Sequence, residues 1–149
     1  MAVYYPPVGF HFRVEFTLDG VQDGDMRFQE VSGLSAELGI EEVAEGGENR
    51  FSHRLPTRTK YSNLILKRGL LTDSRLIDWC IDAIENFDFE PTTVNVTLLN
   101  EKHEPVAESY SFVRTWPVKW AISDFKAQDN SIVVETLELA YNYFSRIKQ

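Results

Sequence analysis

Between Phe10 and Leu18 the chain alternates: Phe10, Phe12, Val14, Phe16 and Leu18 fall on one side, His11, Arg13, Glu15 and Thr17 on the other. A period of two marks a strand with one buried face. The Gly- and Asp-rich stretch from Leu18 to Asp25 predicts a turn, and Arg27 to Val31 returns as extended chain, giving a hairpin. From Leu34 the alternation resumes, with Leu34, Ala36, Leu38 and Ile40 on one face and Ser35, Glu37 and Glu41 on the other, until Glu45 to Asn49 interrupts it. Gly46 and Gly47 reach positive φ without steric cost, so they predict a hairpin tip between a strand over Leu34 to Ala44 and one near Arg50 to Leu55. Pro56, with no N–H for a ladder, is expected to end that second strand. Together these segments form a long arm with a polar tip of Glu45, Glu48, Asn49 and Arg50.

A further extended run covers Tyr61 to Gly69, followed by Thr72 and Asp73 as candidate caps of a helix. In that helix Leu76, Ile77, Cys80, Ile81, Ile84 and Phe87 share one side at a 3.6-residue period, and Asp78, Asp82 and Glu85 form an acidic ridge on the other. Thr92 to Leu99 alternates again, with Val94, Val96 and Leu98 inward and Thr93, Asn95 and Thr97 outward. After a turn over Asn100 to Pro105, extended chain from Val106 reaches Trp116, where Pro117 predicts a strand bend or edge before Trp120. A last strand from Ile132 to about Tyr143 is apolar on both faces, which implies cover on both sides. The pattern is mainly β with one α-helix, as a sandwich or barrel.

Composition changes this picture little. At 149 residues, 43% hydrophobic and 26% charged, residues 1–149 fit a single globular domain without a membrane span. The amino terminus lacks the basic and apolar regions of a signal peptide, so synthesis and assembly in a cytoplasm are expected. Charge excludes more: 15 basic against 23 acidic residues give −8, with no basic run interleaved with aromatics, which argues against tight nucleic-acid binding.

Catalytic and metal-binding signatures are missing. The single cysteine, Cys80, rules out an internal disulfide and lies in the helical stripe, where core packing accounts for it. His11, His53 and His103 lie in different elements, so no metal site is expected. Gly46-Gly47 lacks the Lys-Ser or Lys-Thr of a phosphate loop, and no nucleophile elbow is present; no catalytic residue and no cofactor are expected. Glu135 and Glu138 stand among apolar neighbours and need partners, for which Lys67 and Arg68 qualify, within the chain or across subunits.

The ordered set Phe28-Gln29-Glu30-Val31-Ser32-Gly33-Leu34, Glu45 to Asn49, Leu55-Pro56, Leu64 to Gly69, Trp79, Trp116 to Trp120 and Val134 to Ala140 closely resembles the T4-like tail tube family. The resemblance spans about Pro6 to Tyr143. It implies two packed β-sheets flanked by a helix, a fold related to the Hcp tube of type VI secretion. It further implies a structural subunit whose hexameric rings stack into a hollow tube inside a contractile sheath, in a phage tail or injection particle. The implied partners are further copies of the chain, a sheath protein, baseplate or spike proteins and cap or terminator proteins, with DNA or protein cargo passing without tight binding.

In that setting Glu45, Gly46, Gly47, Glu48, Asn49 and Arg50, with Lys67 and Arg68, are candidates for contacts between subunits or rings. The outward residues Glu37, Glu41, Thr93, Asn95 and Thr97 are candidates for the lumen, and Asp78, Asp82 and Glu85 for sheath docking. The alternatives are a tube initiator or adaptor ring at the baseplate, and a monomeric β-barrel binding module.

Overall fold

The computed structural model describes residues 11–21, 27–44, 46–47, 50–70, 74–100, 102, 105–123 and 133–148. In chain order the elements are β1 (His11–Phe16), β2 (Arg27–Phe28), β3 (Glu30–Ser32), β4 (Ala36–Val43), β5 (His53–Tyr61) and β6 (Leu64–Gly69), then α1 (Arg75–Asn86). After the helix come β7 (Thr92–Leu99), β8 (Pro105–Ile122), β9 (Val134–Ala140) and β10 (Tyr143–Lys148). Among the described residues eight strands form one ladder, β2-β1-β7-β8-β9-β6-β3, with β10 also on β8, and β4 pairs only with β5.

The long strand β8 makes the ladder into two facing layers. Its first half pairs with β7 and β10, and its second half, from Trp116 onward, pairs with β9. The crossing is bent at Arg114, whose φ is +55°, and by a register shift between Pro117 and Lys119. Between the layers lie Val14 and Phe16 of β1, Val94 and Val96 of β7, Phe112 of β8, Leu64 and Leu66 of β6, and Leu137 and Leu139 of β9. The helix adds Leu76, Trp79 and Cys80, with Trp79 edge-on to Phe16. Among the described residues no ladder joins β2 to β3, so the sheet is open and not a closed barrel.

One polar cluster sits in this core. Arg68 and Glu135 oppose each other across β6 and β9 with side chains 3% and 0% exposed, and Arg68 Nε donates to Glu135 Oε2 at 2.9 Å. The other carboxylate oxygen accepts from Trp120 Nε1 of β8 at 2.8 Å. Arg68 Nη2 donates to Ser74 Oγ at 2.9 Å, and Ser74 caps α1 by accepting from the Ile77 amide. Phe28 of β2 lies 4.8 Å from the guanidinium carbon, over the cation. A buried ion pair is tolerable only when its remaining donors and acceptors are filled, as they are here. Cys80 lies close enough to feel both charges: burial first, then the Glu135 carboxylate, pushes its thiol up to about 12, while Arg68 pulls the other way.

Several expectations need correction. Pro56 does not end its strand: β5 runs on to Tyr61, and Pro56 pairs with Ile40 beside a register shift in a two-stranded ribbon with free edges, where proline is tolerated. Tyr61 therefore belongs to β5, with β6 starting at Leu64. Ser74 caps the helix, and Thr72 and Asp73 lie outside the described residues. The buried helical face is Leu76, Trp79, Cys80 and Ala83, rotated away from the apolar stripe, so that Ile84 and Phe87 are exposed. Trp79 turns inward because its indole N–H finds the Glu90 carbonyl at 2.7 Å. In β7 a register shift between Thr97 and Leu99 buries Leu99 more deeply than Leu98. The last apolar run is two strands, because the chain leaves β6 after Ala140 and joins the other half of β8 at Tyr143.

Glu135→Leu alone strands the Arg68 guanidinium and is expected to cost about 3–5 kcal/mol in urea unfolding, whereas Arg68→Met combined with Glu135→Leu is expected to recover most of that loss. Cys80, buried and held as a thiol, is expected to resist a thiol reagent at pH 8 in the native protein and to react once denaturant is added; rapid native labelling would contradict the packing.

Candidate functional site

The two-stranded arm leaves the body at one point. Gly33, at φ +86°, lies so close to Asn63 that a Cβ would collide with its carbonyl oxygen, so the two legs of the arm are pinched together at the root. Just above, Tyr61 packs edge-on against Tyr141 and Phe144, at 5.8 and 5.4 Å between ring centres. Beyond this root β4 and β5 are exposed almost throughout.

The register assigns the faces of the arm. Ala36, Leu38, Ile40 and Glu42 lie opposite Tyr61, Thr59, Pro56 and Arg54, while Glu37, Glu41 and Val43 lie opposite Lys60, Leu55 and His53. The first face is an apolar stripe, with Leu38 60% and Ile40 58% exposed, closed by the Glu42–Arg54 ion pair at 3.9 Å. A two-stranded ribbon is marginal in water by itself, and apolar residues on it gain nothing from solvent. Gly46 and Gly47 form a turn with open space around both, Gly47 at φ +92°. Arg50 is exposed nearby, and Glu45, Glu48 and Asn49 lie outside the described residues.

The remaining candidates separate. Arg68 is withdrawn as an interface residue, because it is buried against Glu135. Lys67 points to the outer side of β6, 4.0 Å from Glu30, and remains accessible. Thr93, Asn95 and Thr97 lie on the outward face of β7, but Glu37 and Glu41 ride on the arm, so the five do not share one surface. Strand pairing extends the β7 face with Glu15 and Arg13 on one side and Ser111, Ser109 and Ser145 on the other. Arg13 and Glu15 pair at 3.1 Å, leaving a face with little net charge whose centre is short hydroxyl and amide groups, with Ser109 buried and the exposed Tyr143 and Ile147 along its β10 edge. Asp78, Asp82 and Glu85 are exposed along the helix, as the periodicity suggests.

Sequence reasoning missed one surface. Phe87 ends α1 in the left-handed region at φ +52°, 82% exposed, and stacks edge-on with Phe89, which stacks in turn on Trp116. The helical stripe that placed Phe87 in the core concealed it; the missing glycine after the helix was the available signal.

Comparison with known proteins decides the family. The model of the T4-like virus tail tube protein gp19 family matches residues 8–145. The chain belongs to this tail tube family. A chain in the cryo-EM structure of the anti-feeding prophage (AFP) baseplate, six-fold symmetrised, superposes with a TM-score of 0.81 at 28% identity, covering 99% of this chain and 97% of that one. One in the PVC sheath–tube complex of an extracellular contractile injection system, in the extended state, gives 0.79 at 23% identity, covering 99% and 95%. Hcp1 from Flavobacterium johnsoniae shares the fold at 0.53 and 13% identity, covering 91% and 94%. No curated protein matches. This tail tube protein is thus a structural component of a phage tail or contractile injection particle.

For the tail tube arm, Leu38→Asp and Ile40→Asp are expected to change the stability of the isolated subunit by no more than about 0.5 kcal/mol in chemical unfolding, since neither side chain is buried within it. A loss several times larger would mean that the arm packs on its own body.

Proposed function

We propose that the protein is the repeating subunit of an inner tube, forming hexameric rings that stack into a hollow conduit for DNA or protein cargo. The observation that carries this reading is the arm: a thin ribbon with Leu38 and Ile40 facing water is stable and useful only when a neighbour covers it. The arm, its tip at Glu45 to Arg50, and Lys67 form the contacts between subunits or rings. A contact between unlike faces closes into a ring if its rotation closes and continues as a stack if it does not. The six-fold symmetry of the AFP baseplate containing the 28% identical relative supports six copies per ring.

The face of Thr93, Asn95 and Thr97, continued by Ser111 and Ser145, suits a lumen, because short, weakly charged groups offer passing cargo no strong hold. The acidic ridge of Asp78, Asp82 and Glu85 suits a basic sheath surface, and the two ends of the stack meet baseplate or spike proteins and a cap or terminator. The occurrence of that same relative in a baseplate favours, as a second reading, an initiator or adaptor ring between baseplate and main tube.

Negative-stain electron microscopy of the purified protein tests the reading. Rings or tubes with a central hole are expected at high concentration, and Leu38→Asp with Ile40→Asp is expected to reduce them at least tenfold; a persistent monomer, with no ring in any preparation, would sink the proposal.

A further inference from the structure

A group of aromatic rings gathers where the arm joins the body. Tyr141 stacks edge-on with Phe112 at 4.8 Å between ring centres, and Phe144 lies 5.3 Å from Phe112 and 6.2 Å from Tyr110. Tyr61, the last residue of β5, stands against Tyr141 and Phe144 at the edge of this group. Phe112 is fully buried, so the group grows out of the core. Tyr141 and Asn142 form the crossing between β9 and β10, and the Asn142 amide fastens it to the Val113 carbonyl of β8 at 2.9 Å. The crossing is a fixed part of the body.

One side chain here does more than pack. Stacking in this group needs only a ring, as Phe112 and Phe144 show, yet position 141 carries a hydroxyl. Its O–H donates at 2.7 Å to the carbonyl of Ser62, an exposed residue in the link between β5 and β6. Burial first, then Tyr61, pushes the phenol up to about 12, so it keeps its proton and remains a donor at neutral pH. The other leg of the arm is set locally. The Ser35 amide bonds back to the Gly33 carbonyl at 2.8 Å, closing a tight turn at Leu34, and Leu34 packs on the core. Both legs are thus aimed within a single copy of the chain.

From this arrangement we infer that Tyr141 is a positioning residue for assembly: through its bond to Ser62 and its contact with Tyr61 it sets the direction in which the arm leaves the body. The inference rests on the reading of the arm as an assembly element and names what aims it. Direction matters because the arm is a lever. The eight residues of β4 at about 3.3 Å each reach about 26 Å, so a swing of about 20° at the root carries the far end through about 9 Å. That is about twice the reach of a side-chain contact. A segment already held in its bound direction loses less freedom on binding, and affinity rises accordingly.

Two variants separate aiming from folding. Tyr141→Phe keeps the ring and removes the bond, while Tyr61→Leu keeps an apolar side chain and removes the stack. Spin labels on Arg58→Cys, low on the arm, and Asp78→Cys, on the helix, report the arm's direction in the unassembled subunit by electron–electron double resonance; Cys80 is buried and stays unlabelled. In each variant the distance distribution is expected to widen about twofold, and for Tyr141→Phe the melting temperature is expected to fall by no more than about 4 °C, the loss of one hydrogen bond. In chains without labels, the concentration at which half the protein sediments as assemblies is expected to rise at least fivefold. A distribution as narrow as the parent's, or parent-like assembly despite a widened one, would show that Tyr141 does not aim the arm for assembly, while the tube reading stands. If the parent chain itself never assembles, both fall.

Discussion

The interaction on which the rest depends is the buried pair of Arg68 and Glu135. It lies where five elements of the fold converge: β6 and β9 supply the charges, β8 supplies Trp120, β2 covers the cation with Phe28, and Ser74 ties the guanidinium to the start of α1. An ion pair in such a place adds little net stability over an apolar pair of similar size, since desolvation offsets most of the attraction. Its directional demands are what distinguish it. Slipping β6 against β9 by one residue would turn Arg68 outward, leave the Glu135 carboxylate in the core without its cation and leave the Ser74 bond unmade, so the network holds the strand register and the helix start together.

The body closes around this cluster, and the apolar surface left outside it, on the arm and at the end of the helix, becomes informative. Among the described residues the arm shares no ladder with the body, and its root is held at Gly33, Asn63 and Tyr61. A small domain gains nothing by holding Leu38 and Ile40 in water, whereas a subunit that is completed by its neighbours gains twice. Exposed apolar stripes become buried, and a marginal ribbon becomes rigid. A well-determined body carrying an unfinished extension is the physical form expected of a tail tube protein, whose activity is to associate.

Much of this was legible in the residues. Strict alternation from Phe12 to Leu18 and from Val94 to Val96 marked strands correctly, since a two-residue period has one structural meaning when one face is buried. The arm was legible from Gly46-Gly47 between two alternating runs, and the helix from its acidic ridge. What stayed hidden depended on events between distant segments. Nothing local announces that β8 would bend at Arg114 and serve two layers, or that the final apolar run would change partners after Ala140. The stripe through Ile84 and Phe87 misled because apolar periodicity reports which residues avoid water in an isolated helix; Trp79, a better fit to the core, took the inner face once its N–H had the Glu90 carbonyl. At the site, the polar tip of the arm was visible while its apolar stripe was read only as one face of an alternating strand, since sequence alone shows alternation but not whether anything lies opposite.

The central claim is that the body is complete in one copy and the arm only in an assembly. Amide hydrogen exchange on the free subunit and on assembled material tests it most directly. The account predicts strong protection of β6 and β9 in both states, and of β4 and β5 only after assembly. Equal protection of the arm in the free subunit, or an arm still exchanging freely within assembled tubes, would contradict it.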